Sequence, residues 1–325
     1  MTPARRRPNR DGAVRLTTAP AIQVDGISKS FEGDRVLEDI SLDVAPGRTL
    51  VVMGPSGVGK TTLTRILLGL ETADDGSGDV TIGGHVVGDL DPARLREFRQ
   101  GFGVLLGGTS VYEGSVFASM SAWANVRYPL EARGYDAATV EARGWNRMVE
   151  FDLVDVAHHL PDALSSGTRR RLALAKSFVD DPHLLVLDDP GAAMDRTNRT
   201  TLVESIRRAR AHTDATMVLT CHDIEMARAL GDDLVVILAG RIVETGPVAE
   251  LLDGVVDAET WDRRFGFSTS FAETDDRSRS TYARVEDARR EVTSWHWAVY
   301  LVLLLMGLAT LIAILSGVID NVVTF

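Results

Sequence analysis

Nine residues, Gly54-Pro55-Ser56-Gly57-Val58-Gly59-Lys60-Thr61-Thr62, set glycines, a lysine and a hydroxyl at the spacing G-x-x-x-x-G-K-[ST]. Glycine lets the backbone curl until its N–H groups converge on one anion. Lys60 then reaches the β- and γ-phosphates of a nucleoside triphosphate, and Thr61 offers its hydroxyl to Mg²⁺. The helix that follows adds the positive end of its dipole. Further along, the apolar run Leu184-Leu-Val-Leu187 ends in Asp188, with Asp189 next. A strand ending in a carboxylate is the Mg²⁺-side element of phosphoryl-transfer sites. A second such run, Thr216 to Thr220, leads into Cys221-His222-Asp223.

These groups need elements to hold them. Leu50 to Met53 reads as the strand into the glycine loop, and Leu63 to Leu70 as the helix out of it. Leu184–Leu187 and Thr216–Thr220 are short apolar or β-branched runs between helical stretches, the pattern of buried parallel strands. Ile22 to Leu50 alternates, with turn signals at Asp25-Gly26, Glu32-Gly33 and Pro46-Gly47, and predicts short antiparallel strands. Val80 to Ile82 predicts a strand, and Leu234 to Val243 a hairpin turning at Ala239-Gly240. From Arg94 to about Pro161 the pattern is mixed, then mainly helical.

The 325 residues carry a net charge of −11, which excludes wholesale nucleic-acid binding. A single cysteine, Cys221, excludes an internal disulfide and suits a reducing compartment. Residues 1–20 are Arg-rich without an apolar run, and predict a disordered basic arm rather than a leader. Residues 255–293 are polar and of mixed charge, and predict a linker with some helix. Trp297 to Val318 runs without a charge, long enough to cross a bilayer as a helix of about 20 residues. Interfacial aromatics (Trp295, Trp297, Tyr300) begin it and Arg284, Arg289 and Arg290 precede it. The expectation is a transmembrane helix over 294–319, with the large N-terminal part on the cytoplasmic side and 320–325 as a short outer tail.

Between the glycine loop and the run Leu184–Leu187 lie Leu164-Ser165-Ser166-Gly167-Thr168-Arg169, and past Asp188 comes Ala192-Ala-Met194-Asp195. In this order and spacing, residues 22–252 resemble the ATP-binding subunit of ABC transporters. The resemblance implies an α/β P-loop fold over 21–254, with an antiparallel β subdomain and an inserted helical subdomain at about 108–180. ATP and Mg²⁺ are the implied cofactors. Gly54, Pro55, Ser56, Gly57, Gly59, Lys60, Thr61 and Thr62 would hold the phosphates, Phe31 would stack on adenine, and Thr61 and Asp188 would serve the metal. Ser165 and Gly167 belong to the segment that closes on a partner subunit's γ-phosphate, and Asp195 to the loop that speaks across the dimer. Asp189 falls at the catalytic base and His222 at a γ-phosphate contact. Simpler roles stand beside these: a core aromatic for Phe31, a helix cap for Asp195, and a solvated helix face for Arg169-Arg170-Arg171.

The implied partners are permease subunits and a second ATP-binding subunit, in a homo- or heterodimer. A narrower resemblance, at Phe102-Gly-Val-Leu105, Gly114 to Met120 and Asn125 to Leu130, is to the ATPases of Mla- and Mce-type lipid transport. It implies a lipid or sterol cargo, with membrane lipid and MCE-type substrate-binding proteins as further partners, at the cytoplasmic membrane.

Three departures surround the γ-phosphate position. No glutamine follows the strand 102–105, where the family ligates Mg²⁺; the segment Leu106 to Glu113 is longer than the pattern and contains none. Asp189 replaces a glutamate, and Ser166 replaces a glycine whose added Cβ is expected to hinder close approach. Together they imply slow or impaired hydrolysis. The alternative is a membrane-tethered regulatory subunit with little ATPase activity.

Overall fold

A computed structural model describes residues 21–106, 116–192 and 194–265. The chain opens with β1 (Ile22–Phe31) and β2 (Asp34–Val44), an antiparallel pair turning at Glu32-Gly33, both at positive φ. β3 (Thr49–Met53) leads through the glycine loop into α1 (Lys60–Leu67). Next come β4 (Asp79–Ile82), β5 (His85–Val86), α2 (Pro92–Phe98) and β6 (Phe102–Leu105). α3 (Ala122–Ala132), α4 (Ala137–Glu150) and α5 (Ser166–Phe178) form a helical layer before β7 (Leu184–Asp188). The rest alternates: α6 (Arg196–Arg210), β8 (Thr216–Thr220), α7 (Ile224–Leu230), β9 (Asp233–Leu238), β10 (Arg241–Pro247), α8 (Val248–Leu251) and α9 (Ala258–Phe265).

Among the described residues these strands make two sheets, ordered β2-β1-β4-β5 and β10-β9-β3-β8-β7-β6. The first is antiparallel, as the alternation of 22–44 requires. The second is parallel from β9 through β6, with β10 turned back on β9. Every residue of β3, β7 and β8 is buried, because helices and the first sheet cover both faces. The register sets Asp188 opposite Thr220, so the carboxylate and a hydroxyl leave the same edge together.

Helix starts follow the local rule that a short polar side chain takes up a free N–H. Asp91, Ser121, Asp136, Ser165, Asp195 and Asp223 each cap a helix this way. Two expectations change. Asp25-Gly26 is not a turn: Gly26 (φ 65) makes a bulge inside β1, where the register slips between Val24 and Ile27. Residues 255–265, expected to open the linker, are folded: α9 buries Trp261 fully in the core, and Arg228 donates to the Val255 carbonyl at 2.7 Å.

No helix among the described residues is long and apolar enough to cross a membrane. The expected basic arm at 1–20, the helix at 294–319 and the tail at 320–325 all lie outside the described residues.

Candidate nucleotide site

The glycine loop joins a buried strand to a helix, and three glycines take positive φ in it: Gly54 (152), Gly57 (82) and Gly59 (101). At Gly54 a Cβ would sit 2.2 Å from the Ile237 carbonyl oxygen. At Gly59 it would meet Leu37 Cδ2 at 2.5 Å and the Val36 carbonyl at 2.9 Å. The motif's end glycines are therefore demanded by packing against β9 and β2 as well as by φ.

Lys60 begins α1 and folds back under the loop. The residue is 6 % exposed, and its ammonium donates to the carbonyls of Gly54 (2.9 Å) and Pro55 (2.8 Å). Burial pushes its pKa down to about 8, against the opposing pull of Asp189 and Asp188. A desolvated cation of this kind gains from a polyanion brought beside it.

Thr61 and Asp188, 127 residues apart, meet at 2.8 Å, the hydroxyl donating to Oδ2. Thr220 donates to the other carboxylate oxygen at 2.5 Å. The pair Thr61 and Asp188 offers hard oxygens only, which suits Mg²⁺; a Mg²⁺ ion usually keeps phosphate and water in its remaining positions. Among the described residues no group of three or more His, Cys, Asp and Glu could hold a metal, so the fit rests on this pair.

Asp189 leaves β7 in the left-handed region, φ 45. Its N–H donates to Thr220 Oγ1 (2.9 Å) and to the Thr220 carbonyl (3.1 Å). Burial, and then the charge of Asp188, hold its carboxyl above the usual carboxylate range. His222 lies beyond β8 with Nε2 3.8 Å from Asp189 Oδ2. Burial, and then the Lys60 charge, push the imidazole pKa down to about 4. At neutral pH the ring is therefore uncharged, so this contact is that of a neutral imidazole with a carboxylate rather than an ion pair. Cys221 beside it is buried, its thiol pushed up to about 12 by burial, and is chemically inert.

The structure thus brings Gly54 to Thr62, Asp188, Asp189 and His222 to one place. Phe31 is half-buried at the tip of the β1–β2 hairpin, with the Lys29 ammonium 5.0 Å from its ring centroid, and is no core aromatic. Ser165 caps α5, its hydroxyl accepting from the Thr168 N–H at 3.1 Å, and both Ser165 and Ser166 are exposed. Ser166 occupies the first turn of α5 without a positive φ, so its side chain costs the backbone no strain. Gly167 is buried, and a Cβ there would stand 3.0 Å from Asn198 Oδ1. Asp195 is exposed and caps α6 through the Asn198 N–H at 2.9 Å. Residues 107–115, where the glutamine is missing, lie outside the described residues.

Three residues escaped the sequence reading. Thr220 grips both aspartates; its place at the end of a parallel strand beside β7 was the signal available. Arg170 is 3 % exposed, not part of a solvated face, and donates to the Asp189 carbonyl at 2.7 Å. Its neighbours also turn inward, Arg169 to the Leu164 carbonyl and Arg171 to that of Phe151. Arg199 joins the Met194 carbonyl (2.8 Å) to the Asp223 carboxylate. No periodicity distinguishes such arginines from exposed ones.

Comparison with known proteins agrees with this geometry. Residues 37–192 match the family described as ABC transporter. A methionine import ATP-binding protein of Corynebacterium efficiens is 31% identical over 251 residues, 75% of this chain and 68% of the relative. A probable anion import ATP-binding protein of Haloferax volcanii is 35% identical, covering 77% of this chain and 88% of the relative. A spermidine/putrescine import ATP-binding protein of Vibrio vulnificus is 31% identical, and there the match spans only 59% of the relative. In fold, the chain is similar to cbiO1 of Clostridium perfringens (TM-score 0.66, 19% identity, 76% of this chain and 96% of that one). It is similar also to the cassette MJ0796, solved as a dimer with ADP and Pi (TM-score 0.62, 23% identity, 70% of this chain and 98% of that one).

Proposed function

The chain belongs to the ABC transporter ATP-binding family, and from that premise we propose that it energises or regulates a partner permease by binding ATP and hydrolysing it slowly. It binds ATP with Mg²⁺, as the family does. The observation that carries the reading is the convergence of Lys60, Thr61 and Asp188 under an intact glycine loop, with Asp189 one residue on. The loop N–H groups and Lys60 bind the β- and γ-phosphates, and Phe31 offers its half-exposed ring to adenine. Thr61 and Asp188 would hold Mg²⁺, which would supply neutralising charge to the phosphates. Asp189 takes a proton from the attacking water, and neutral His222 orients beside it. The exposed Ser165 and Ser166, with Gly167 buried behind them, and Asp195 face a second ATP-binding subunit, identical or not.

The relatives are named for import of methionine, of spermidine or putrescine, and of anions, which supports an import direction. The lipid-like cargo and MCE-type partners remain a narrower proposal, resting on the stretches 102–105 and 114–130 alone. So does the membrane helix at 294–319, which would anchor the subunit or dock on the permease. The alternative regulatory subunit is favoured by the missing glutamine after 102–105 and by the shorter carboxylate of Asp189. Purifying the membrane complex through this chain tests the proposal: recovery of a permease is expected, and recovery of none overturns it.

A candidate permease contact lies on the helical layer. Phe117 and Tyr128, 40% and 41% exposed, meet edge to face at 5.0 Å, and the Lys176 ammonium sits 3.9 Å from the Phe117 centroid. Burial pushes the Lys176 pKa down to about 8. Its amine is deprotonated as pH rises through 8 rather than through the ordinary value of about 10.4. Acylation by an amine-reactive ester, mapped by mass spectrometry, is expected to rise with a midpoint near pH 8 at Lys176. In the permease complex that labelling is expected to fall; unchanged labelling would remove this surface as the contact.

A further inference from the structure

We propose that Arg170 is a positioning residue: it locks the backbone at Asp189 so that the carboxylate faces the nucleotide, and it ties the segment opening at Ser165 to the base of the same chain. The inference rests on the assignment of Asp189 as that base.

Asp189 holds a left-handed φ of 45, a conformation that a non-glycine residue keeps only when its surroundings dictate it. Those surroundings are present on both sides of the residue. Its N–H is taken by Thr220, as described above. Its carbonyl accepts from Arg170 Nη1 at 2.7 Å and from the Ala192 N–H at 3.1 Å. The Ala192 bond is local to the turn. The Arg170 bond comes from a different element, α5, five residues past the Ser165 cap. Arg170 is 3 % exposed, and a buried guanidinium costs stability that a packing role would not require.

A rigid helix therefore runs from the exposed Ser165 segment, which serves the partner's site, to the backbone of this chain's own base. Movement of α5 as two subunits close is delivered to Asp189 through one charge-assisted hydrogen bond. Loss of that bond frees the turn and displaces the carboxylate, and a displacement of about 1 Å can cost about 10²-fold in turnover.

The test is steady-state ATP turnover of the assembled transporter carrying Arg170→Met, Arg170→Lys, Asp189→Asn and the double substitution. Arg170→Met is expected to lower kcat about 10- to 100-fold with the KM for ATP unchanged, and Arg170→Lys to recover part of the loss. In the Asp189→Asn background, Arg170→Met should cost nothing further, because both act through one group. Independent, multiplying losses overturn the proposal, as does an unchanged kcat or a KM that rises in step. Should the methionine variant not assemble, Arg170→Gln, which keeps a donor without the charge, carries the same cycle. Wild-type turnover in Asp189→Asn alone overturns the base assignment instead, so the two failures are separable.

Discussion

Replacing Asp189 by Asn is expected to lower ATP turnover by about 10²–10⁴-fold, the usual worth of a general base, and to leave ATP affinity as it was. The affinity is spared because phosphate binding rests on the glycine loop, the Lys60 bonds to Gly54 and Pro55 and the Thr61–Asp188 bond, none of which is made through Asp189. The raised pKa of Asp189 strengthens it as a base. It also sets a sign for pH dependence. The carboxyl must be ionised to work, so activity falls on acidification at a pH above the ordinary carboxylate range. Without nucleotide the His222 pKa, pushed down to about 4 by burial, lies below that limb. Asp189→Glu adds one methylene of reach towards the water and is expected to raise turnover, by up to about 10²-fold if wild-type reach is short by 1 Å. Steady-state ATPase assays with a parallel binding measurement check both. Wild-type turnover in the ordinary transporter range, unimproved by glutamate, defeats slow hydrolysis. An unchanged rate in Asp189→Asn defeats the base.

Lys60→Met is expected to lower ATP affinity by about 10–10²-fold, the equivalent of one hydrogen bond to a charged group. The wild-type amine is charged, buried and held by two carbonyls, so it enters binding already desolvated. A bound polyanion favours the charged amine and raises its pKa. Below pH 8 the amine is already protonated and binding takes up nothing. Above pH 8 binding must draw a proton onto Lys60, so wild-type affinity falls as pH rises. The methionine variant lacks that slope. Titration calorimetry in buffers of different ionisation enthalpy reads the proton uptake directly, and its absence at pH 9 would contradict the assigned environment of Lys60.

The site was legible in unequal parts. The loop, its lysine and its helix could be read because they are contiguous: local φ requirements and hydrogen-bond spacing act over nine residues. The helix cap at Asp195 was equally local. The strands of the parallel sheet were legible as unbroken apolar runs because both faces are covered. The Asp25-Gly26 bulge and the folding of 255–265 were not, since a bulge differs from a turn only by its paired neighbour, and Trp261 is a core residue only once α7, β9 and α8 bring their buried residues into the same core.

By itself, then, the sequence determined the chemistry available: phosphate cradle, lysine, hydroxyl, two successive carboxylates and a histidine at the ends of apolar strands. Tertiary structure decided which of these meet. Thr61 reaches Asp188 across 127 residues, Thr220 grips both aspartates, and Arg170 turns inward from a run that looks solvated. The physical reason is range. Backbone propensity and capping are settled within a turn or two of chain, whereas the register of parallel strands and the burial of a guanidinium are settled by contacts that exist only after the sheet and its helices have packed.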